Sequence, residues 1–132
     1  MLNRLTDSLD FQSQALQLRS ERQRLIASNI ANADTPGYVA RDMDFAGALR
    51  AATGAQQPVL KVSQQGHIGA ANSGPGAPNL NYATAAQTNL DRNTVDMDRE
   101  RASFADNAVK YEATLRFING NVRTMLSAIT GQ

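Results

Sequence analysis

The sequence predicts a mainly α protein. An N-terminal and a C-terminal helix pair as a coiled-coil-like hairpin, joined by an irregular or partly disordered middle with room for short strands. Three observations carry this. Charge divides the 132 residues into three parts: residues 1–50 hold six basic and six acidic side chains, residues 91–132 hold six of each again, and the stretch between holds only Lys61. The C-terminal part places apolar residues at unbroken 4-3 spacing, and the N-terminal part keeps the same period until it meets a Pro-Gly pair. The length fits one structural domain formed by both termini, organised as 1–50 helix plus turn, 51–92 low-charge middle and 93–132 heptad helix.

In the N-terminal helix, Leu2, Leu5, Leu9, Leu16, Ile26 and Ile30 follow one heptad row, with Gln12, Arg19 and Gln23 at the intervening positions. Phe11, Ala15, Leu18 and Leu25 form a second row beside it. Together they make an apolar face wider than a two-stranded seam needs, and such a helix fits more than one neighbour. Leu9, Phe11, Leu16, Leu18, Leu25, Ile26 and Ile30 are therefore expected to pack against the C-terminal helix and a further helix. An ordinary two-helix hairpin packed only on itself is the competing reading.

The helix stops at Ser28-Asn29-Ile30-Ala31-Asn32-Ala33-Asp34-Thr35-Pro36-Gly37-Tyr38. Pro36 drives Thr35 out of the α region. Pro36-Gly37 at the central positions is type II turn chemistry, in which Pro sets φ and Gly supplies φ > 0. Asn29 and Asn32, three apart, share a face of the last turn and can bond freed carbonyls or a neighbouring chain.

The middle holds five Gly and three Pro, including Gly74-Pro75-Gly76-Ala77-Pro78, and cannot be a regular helix. Val59-Leu60-Lys61-Val62 reads as a short strand, and Tyr82 to Leu90 has room for a helical turn.

In the C-terminal helix, Phe104, Ala108, Tyr111, Leu115, Ile118, Val122, Met125 and Ile129 form eight successive seam positions with no polar interruption. Asp96 is the expected N-cap, Asp98 and Glu100 suit the first turn, and Gly131 closes the helix. Gly120 costs about 1 kcal/mol against Ala, yet the heptad phase runs through it. Such a helix is roughly 50 Å long at ~1.5 Å per residue, and one seam buries little against the entropy of ordering it. Folding on assembly is the favoured design.

Composition excludes several roles. With 13 basic and 12 acidic side chains the chain makes no field for nucleic acid. Zero Cys and the single His67 argue against disulfides, thiolate metal sites and nucleophilic relays. Asp91, Asp96, Asp98 and Glu100 lack the alternation and central Gly of a calcium loop, and Gly74-Pro75-Gly76 lacks the Lys-Ser/Thr of a phosphate loop. No catalytic residue, cofactor, metal or small-molecule substrate is predicted. The charged start, Met1-Leu2-Asn3-Arg4-Leu5-Thr6-Asp7, does not suit a cleaved signal peptide.

Ser28 to Tyr38 resembles the N-terminal signature of the bacterial flagellar basal-body rod protein family. Val39-Ala40-Arg41-Asp42-Met43-Asp44-Phe45 and Asn93-Thr94-Val95-Asp96-Met97-Asp98-Arg99-Glu100 bring it closest to the family's proximal rod proteins of the B type. The resemblance covers both ends, about two thirds of the chain. It implies a non-enzymatic subunit whose terminal helices pair inside a tubular, torque-transmitting rod that crosses the periplasm. The implied partners are other copies of the chain, neighbouring rod proteins, the rod adaptor at the inner-membrane ring, and the flagellar type III export apparatus, which needs no cleaved signal. On this reading the row from Phe104 to Ile129 is the assembly seam, and Asn29, Asn32, Thr35, Pro36, Gly37 and Tyr38 lock the turn. Phe45 and Leu49 have the Phe-x-x-x-hydrophobic form associated with export-gate recognition, a form that an amphipathic turn also produces. The rival class is a soluble coiled-coil adaptor or secretion chaperone, which would explain the heptads but not the Asn-x-x-Asn and Thr-Pro-Gly-Tyr turn.

Overall fold

The computed structural model describes residues 2–54, 80–82 and 90–131. The order of elements is α1 (Leu2–Ala31), β1 (Arg41–Met43), α2 (Phe45–Ala52), β2 (Leu80–Tyr82) and α3 (Met97–Thr130). The expected strand at Val59–Val62 and His67 lie outside the described residues. Of the segment Tyr82 to Leu90, Tyr82 belongs to β2 and Leu90 to a turn, and the residues between also lie outside.

Both long helices form where the heptads place them, and they pack against each other along their length. The register is antiparallel: Asn121 of α3 meets Ser8 and Gln12 of α1, and Asn107 meets Arg19 and Gln23. α3 begins at its cap, where Asp96 Oδ1 accepts from the N–H groups of Asp98 and Arg99, both at 3.2 Å. It ends at Gly131, whose φ of 71° turns the chain out of the helix while its N–H donates to Ser127. Gly120 lies inside the helix without interrupting it.

β1 and α2 lie against α1, and β2 lies against β1. β1 and β2 pair antiparallel in the register Arg41↔Tyr82, Asp42↔Asn81 and Met43↔Leu80. Arg22 of α1 approaches the Asp42 carboxylate at 3.7 Å. α2 starts at Asp44, which accepts from the Gly47 N–H at 3.1 Å, and Phe45 lies beneath the Arg19 guanidinium, 4.4 Å from ring centroid to Cζ. The candidate Phe45–Leu49 element is thus the first turn of a short helix, with both side chains half-buried.

Among the described residues the buried apolar core is small: Ala15, Leu18, Ile26, Ala40 and Met43. The largest fully buried side chains among the described residues are three amides, Asn29, Asn93 and Asn107. A core of that kind draws its order from hydrogen bonds as much as from apolar burial.

Candidate assembly site

At the end of α1 the helical ladder gives way to tighter turns. The Asn32 N–H donates to both Ser28 and Asn29, Ala33 to Ile30, and Thr35 to Asn32. The Tyr38 N–H then donates to Thr35 at 3.2 Å across Pro36-Gly37, and Gly37 has φ of 73°. That is the geometry Pro-Gly favours. The Asn32 amide donates to the Ser28 carbonyl at 2.8 Å, and its oxygen accepts from the Thr35 hydroxyl at 3.2 Å.

Asn29, only 2% exposed, does something different. Its Nδ2 donates to the Arg41 carbonyl at 2.8 Å and its Oδ1 accepts from the Arg41 N–H at 3.1 Å, so one side chain takes both backbone groups of the first residue of β1. The Tyr38 hydroxyl also donates to that oxygen at 3.2 Å and lies 3.3 Å from the Ser28 hydroxyl. The two asparagines divide the work: Asn32 finishes the helix, and Asn29 aims the chain that leaves it.

A second strand of chain closes the turn from outside. Asn93 is fully buried, and its Nδ2 lies 2.9 Å from the carbonyl of Asn32 and 2.8 Å from those of Ala33 and Thr35. Two amide hydrogens therefore serve three carbonyls of the turn that follows α1, of which those of Asn32 and Thr35 also accept from the N–H groups of Thr35 and Tyr38. The Asn93 oxygen accepts from Val95 at 2.8 Å. Gly37 donates to the Asp91 carbonyl at 2.8 Å, Thr94 donates to Tyr38 at 3.1 Å, and the Ala40 N–H donates to the Thr94 hydroxyl at 2.8 Å. In the sequence Asn93 and Thr94 stand out only as part of a motif. Their role as a clamp needed a contact across some sixty positions, which no local pattern reveals.

Glu100, one turn into α3, sits beside this clamp. Burial raises its carboxyl above the ordinary range; the Asn29 amide works against the rise, and Asp42 and Asp96 add to it.

The expected seam divides in two. Tyr111, Ile118 and Met125 are half-buried, whereas Phe104 (40%), Leu115 (36%), Val122 (41%) and Ile129 (73%) are exposed, as is Ala108. The row that meets α1 carries Asn107 and Thr114, both buried, and Asn121 in place of Ala108, Leu115 and Val122. The hairpin seam therefore lies one residue back from the purely apolar row. The reason lies in α1, where Gln12 and Gln23 require amide partners and find them in Asn121 and Asn107. On α1 itself Leu18 and Ile26 are buried, Leu9, Leu16, Leu25 and Ile30 are half-buried, and Phe11 is 48% exposed, outside the hairpin.

The exposed row continues onto α1. Phe104 and Arg101 line a cleft of about 340 Å³ with Ala27, Ile30 and Ala31, so the apolar row of α3 and the end of α1 share one side of the hairpin. Among the described residues no cluster of His, Cys, Asp or Glu is placed to hold a metal ion, and no helix is long and apolar enough to cross a membrane.

These features define a helical structural protein, held at a polar clamp and bearing an apolar strip. The sequence profile of the family described as "Flagella basal body rod protein" matches residues 9–38, which cover most of α1 and the turn. The chain is 45% identical over 138 residues to the flagellar basal body rod protein FlgB of Salmonella typhimurium (strain LT2), covering 99% of each chain. It is 44% identical over 134 residues to FlgB of Proteus mirabilis (strain HI4320), covering 98% of each. It is 43% identical over 134 residues to FlgB of Escherichia coli (strain K12), covering 98% of this chain and 97% of the relative. The chain belongs to the flagellar basal body rod protein family, as a structural rod subunit.

Proposed function

We propose that this subunit builds the proximal part of the rod and acts without catalysis. The observation that carries the reading is the pairing of the clamp with an unburied apolar row: the clamp holds α1 and α3 in one orientation, Leu115, Val122 and Ile129 stay exposed, and Phe104 is exposed beside the end of α1. That row is the seam to neighbouring subunits, while Leu9, Leu16, Leu25 and Ile30 serve both the hairpin and a neighbour. Asn29, Asn32, Thr35, Pro36, Gly37 and Tyr38 keep the turn in shape for the same purpose.

The partners on this reading are further copies of the chain, adjoining rod proteins and the adaptor at the inner-membrane ring. The flagellar type III apparatus delivers the chain across the membrane without a cleaved signal, with Phe45 and Leu49 as the candidate contact at its gate. The polar α1–α3 seam supports a hairpin of low stability that gains further order on assembly, because among the described residues it buries little apolar area. The low-charge stretch 51–92 links the two helical ends.

The test is a deletion strain. Loss of the chain is expected to leave cells without flagella, and mass spectrometry of basal bodies purified from complemented cells is expected to find the full-length chain, with its first residues intact, in the rod fraction. A chain that stays in the cytoplasm as a stable dimer and is absent from basal bodies would instead identify an adaptor or chaperone.

A further inference from the structure

α3 carries two candidate seams one residue apart. The rows through 107, 114 and 121 and through 108, 115 and 122 share Tyr111, Ile118 and Met125, so turning the helix by about 50° exchanges one for the other. Apolar burial alone favours turning Ala108, Leu115 and Val122 inward. The structure has the opposite arrangement, with Leu115 36% and Val122 41% exposed, Asn107 1% and Thr114 9%.

What opposes apolar burial is a set of polar rungs across the hairpin. Asn107 Nδ2 donates to Gln23 Oε1 at 2.6 Å and to the Arg19 carbonyl at 2.9 Å. Asn121 Nδ2 lies 3.4 Å from both Gln12 Oε1 and Ser8 Oγ. Between the rungs sit two small or short residues, Thr114 on α3 and the buried Ala15 on α1. The arrangement is not optimised for stability, since Asn107 Oδ1 is buried with no hydrogen-bond partner, a loss that an apolar residue there would avoid. Polar residues at seam positions are a known means of fixing one helix arrangement at the expense of stability.

We propose that the Asn107 and Asn121 rungs are an orientation lock, which holds α3 in the rotation that keeps its apolar row on the outside of the hairpin. Without the rungs, α3 turns and buries Leu115 and Val122 against α1. The proposal concerns the rotation of α3 within one chain and stands whether or not the outward row is the rod seam.

The chain contains no cysteine, so single thiols report on each row cleanly. Thr114→Cys and Leu115→Cys are made in the otherwise unchanged chain and in an Asn107→Ala/Asn121→Ala background. Labelling rates are measured at concentrations where sedimentation gives a monomer. In the unchanged chain the thiol at 115 should label at least tenfold faster than the thiol at 114. In the double-Ala background the ratio should reverse. An unchanged ratio would overturn the proposal, and so would equal rates at both positions in a chain that circular dichroism shows to be helical. If the double variant unfolds, Asn107→Ala alone, which keeps the Asn121 rung, decides the matter. Its ratio must fall at least twofold toward 114, and a ratio that stays put refutes the lock.

Discussion

The side-chain amide of Asn93 donates to the backbone carbonyl of Thr35 at 2.8 Å, from 58 positions further along the chain. Its other acceptors, Asn32 and Ala33, are the first carbonyls after α1, so the turn that ends α1 is held from the segment that leads into α3. The start of one helix and the end of the other are thereby one polar unit. Anything that disturbs Asn93 acts on both.

Removing that amide takes a donor from three part-buried carbonyls, of which those of Asn32 and Thr35 keep a backbone N–H partner. Asn93→Ala is expected to lower unfolding free energy by about 1–3 kcal/mol, measured by urea titration of helical ellipticity. Asn93→Asp is expected to be worse, because a carboxylate donates nothing and sets negative charge against the same three oxygens. An alanine variant as stable as the parent would remove Asn93 from the clamp.

Gly37 tests the turn by a separate route. Its φ of 73° is disfavoured for β-branched residues, and open space surrounds its Cα, so Gly37→Val introduces backbone strain without a collision. The strain costs about 1–3 kcal/mol. Rod assembly is expected to fail while expression and export persist, read by motility and by the amount of chain outside the cytoplasm. Normal motility would show that this turn geometry is dispensable.

Glu100 makes the clamp sensitive to pH. Its folded carboxyl titrates above the ordinary value, chiefly through burial, so the native state binds its proton more tightly than the unfolded chain. Its contribution to stability is therefore fully present below the unfolded value and is lost as pH rises through the folded one. Glu100→Gln, which cannot ionise, is expected to raise the melting temperature at pH 7, and the gain should shrink as the pH is lowered through the ordinary carboxylate range. A gain that grows toward acid pH would reverse the assignment.

The two sides of α3 predict different failures. Ile118 is half-buried against α1, so Ile118→Asp is expected to destabilise the hairpin itself by roughly 2–4 kcal/mol. Leu115 faces outward, so Leu115→Asp should change monomer stability by less than about 0.5 kcal/mol yet abolish flagella. Arg116 pairs with Glu112 at 2.6 Å in full view of solvent, and Arg116→Ala should be nearly silent in both assays. Motile cells carrying Leu115→Asp would show that the outward row is not an obligatory interface.

Much of this architecture is legible in the amino acids. The 4-3 spacing places both helices, Asp96 and Gly131 mark the ends of α3, and Pro36-Gly37 declares its turn, because each of these depends on residues within a few positions of one another. The angular phase of α3 is different. Its apolar row is the cleaner heptad, but phase is decided by the facing helix, and Gln12 and Gln23 select Asn121 and Asn107 over Val122 and Ala108. The same limit hides Asn93 and the β1–β2 pair, whose partners are more than thirty positions away.

The strand pair has a bearing on how such a chain can change. Met43 and Leu80 are held side by side, and the clamp begins a few residues further on, at Asp91. The chain leaves the hairpin and re-enters it at one doorway, so the helices do not register how much polypeptide passes through. Loop-closure entropy grows only logarithmically, and doubling the length of the excursion costs about 0.6 kcal/mol. Evolution can therefore lengthen, shorten or replace the stretch between Gly54 and Leu80 as a separable part, leaving α2, the two long helices and their outward row untouched.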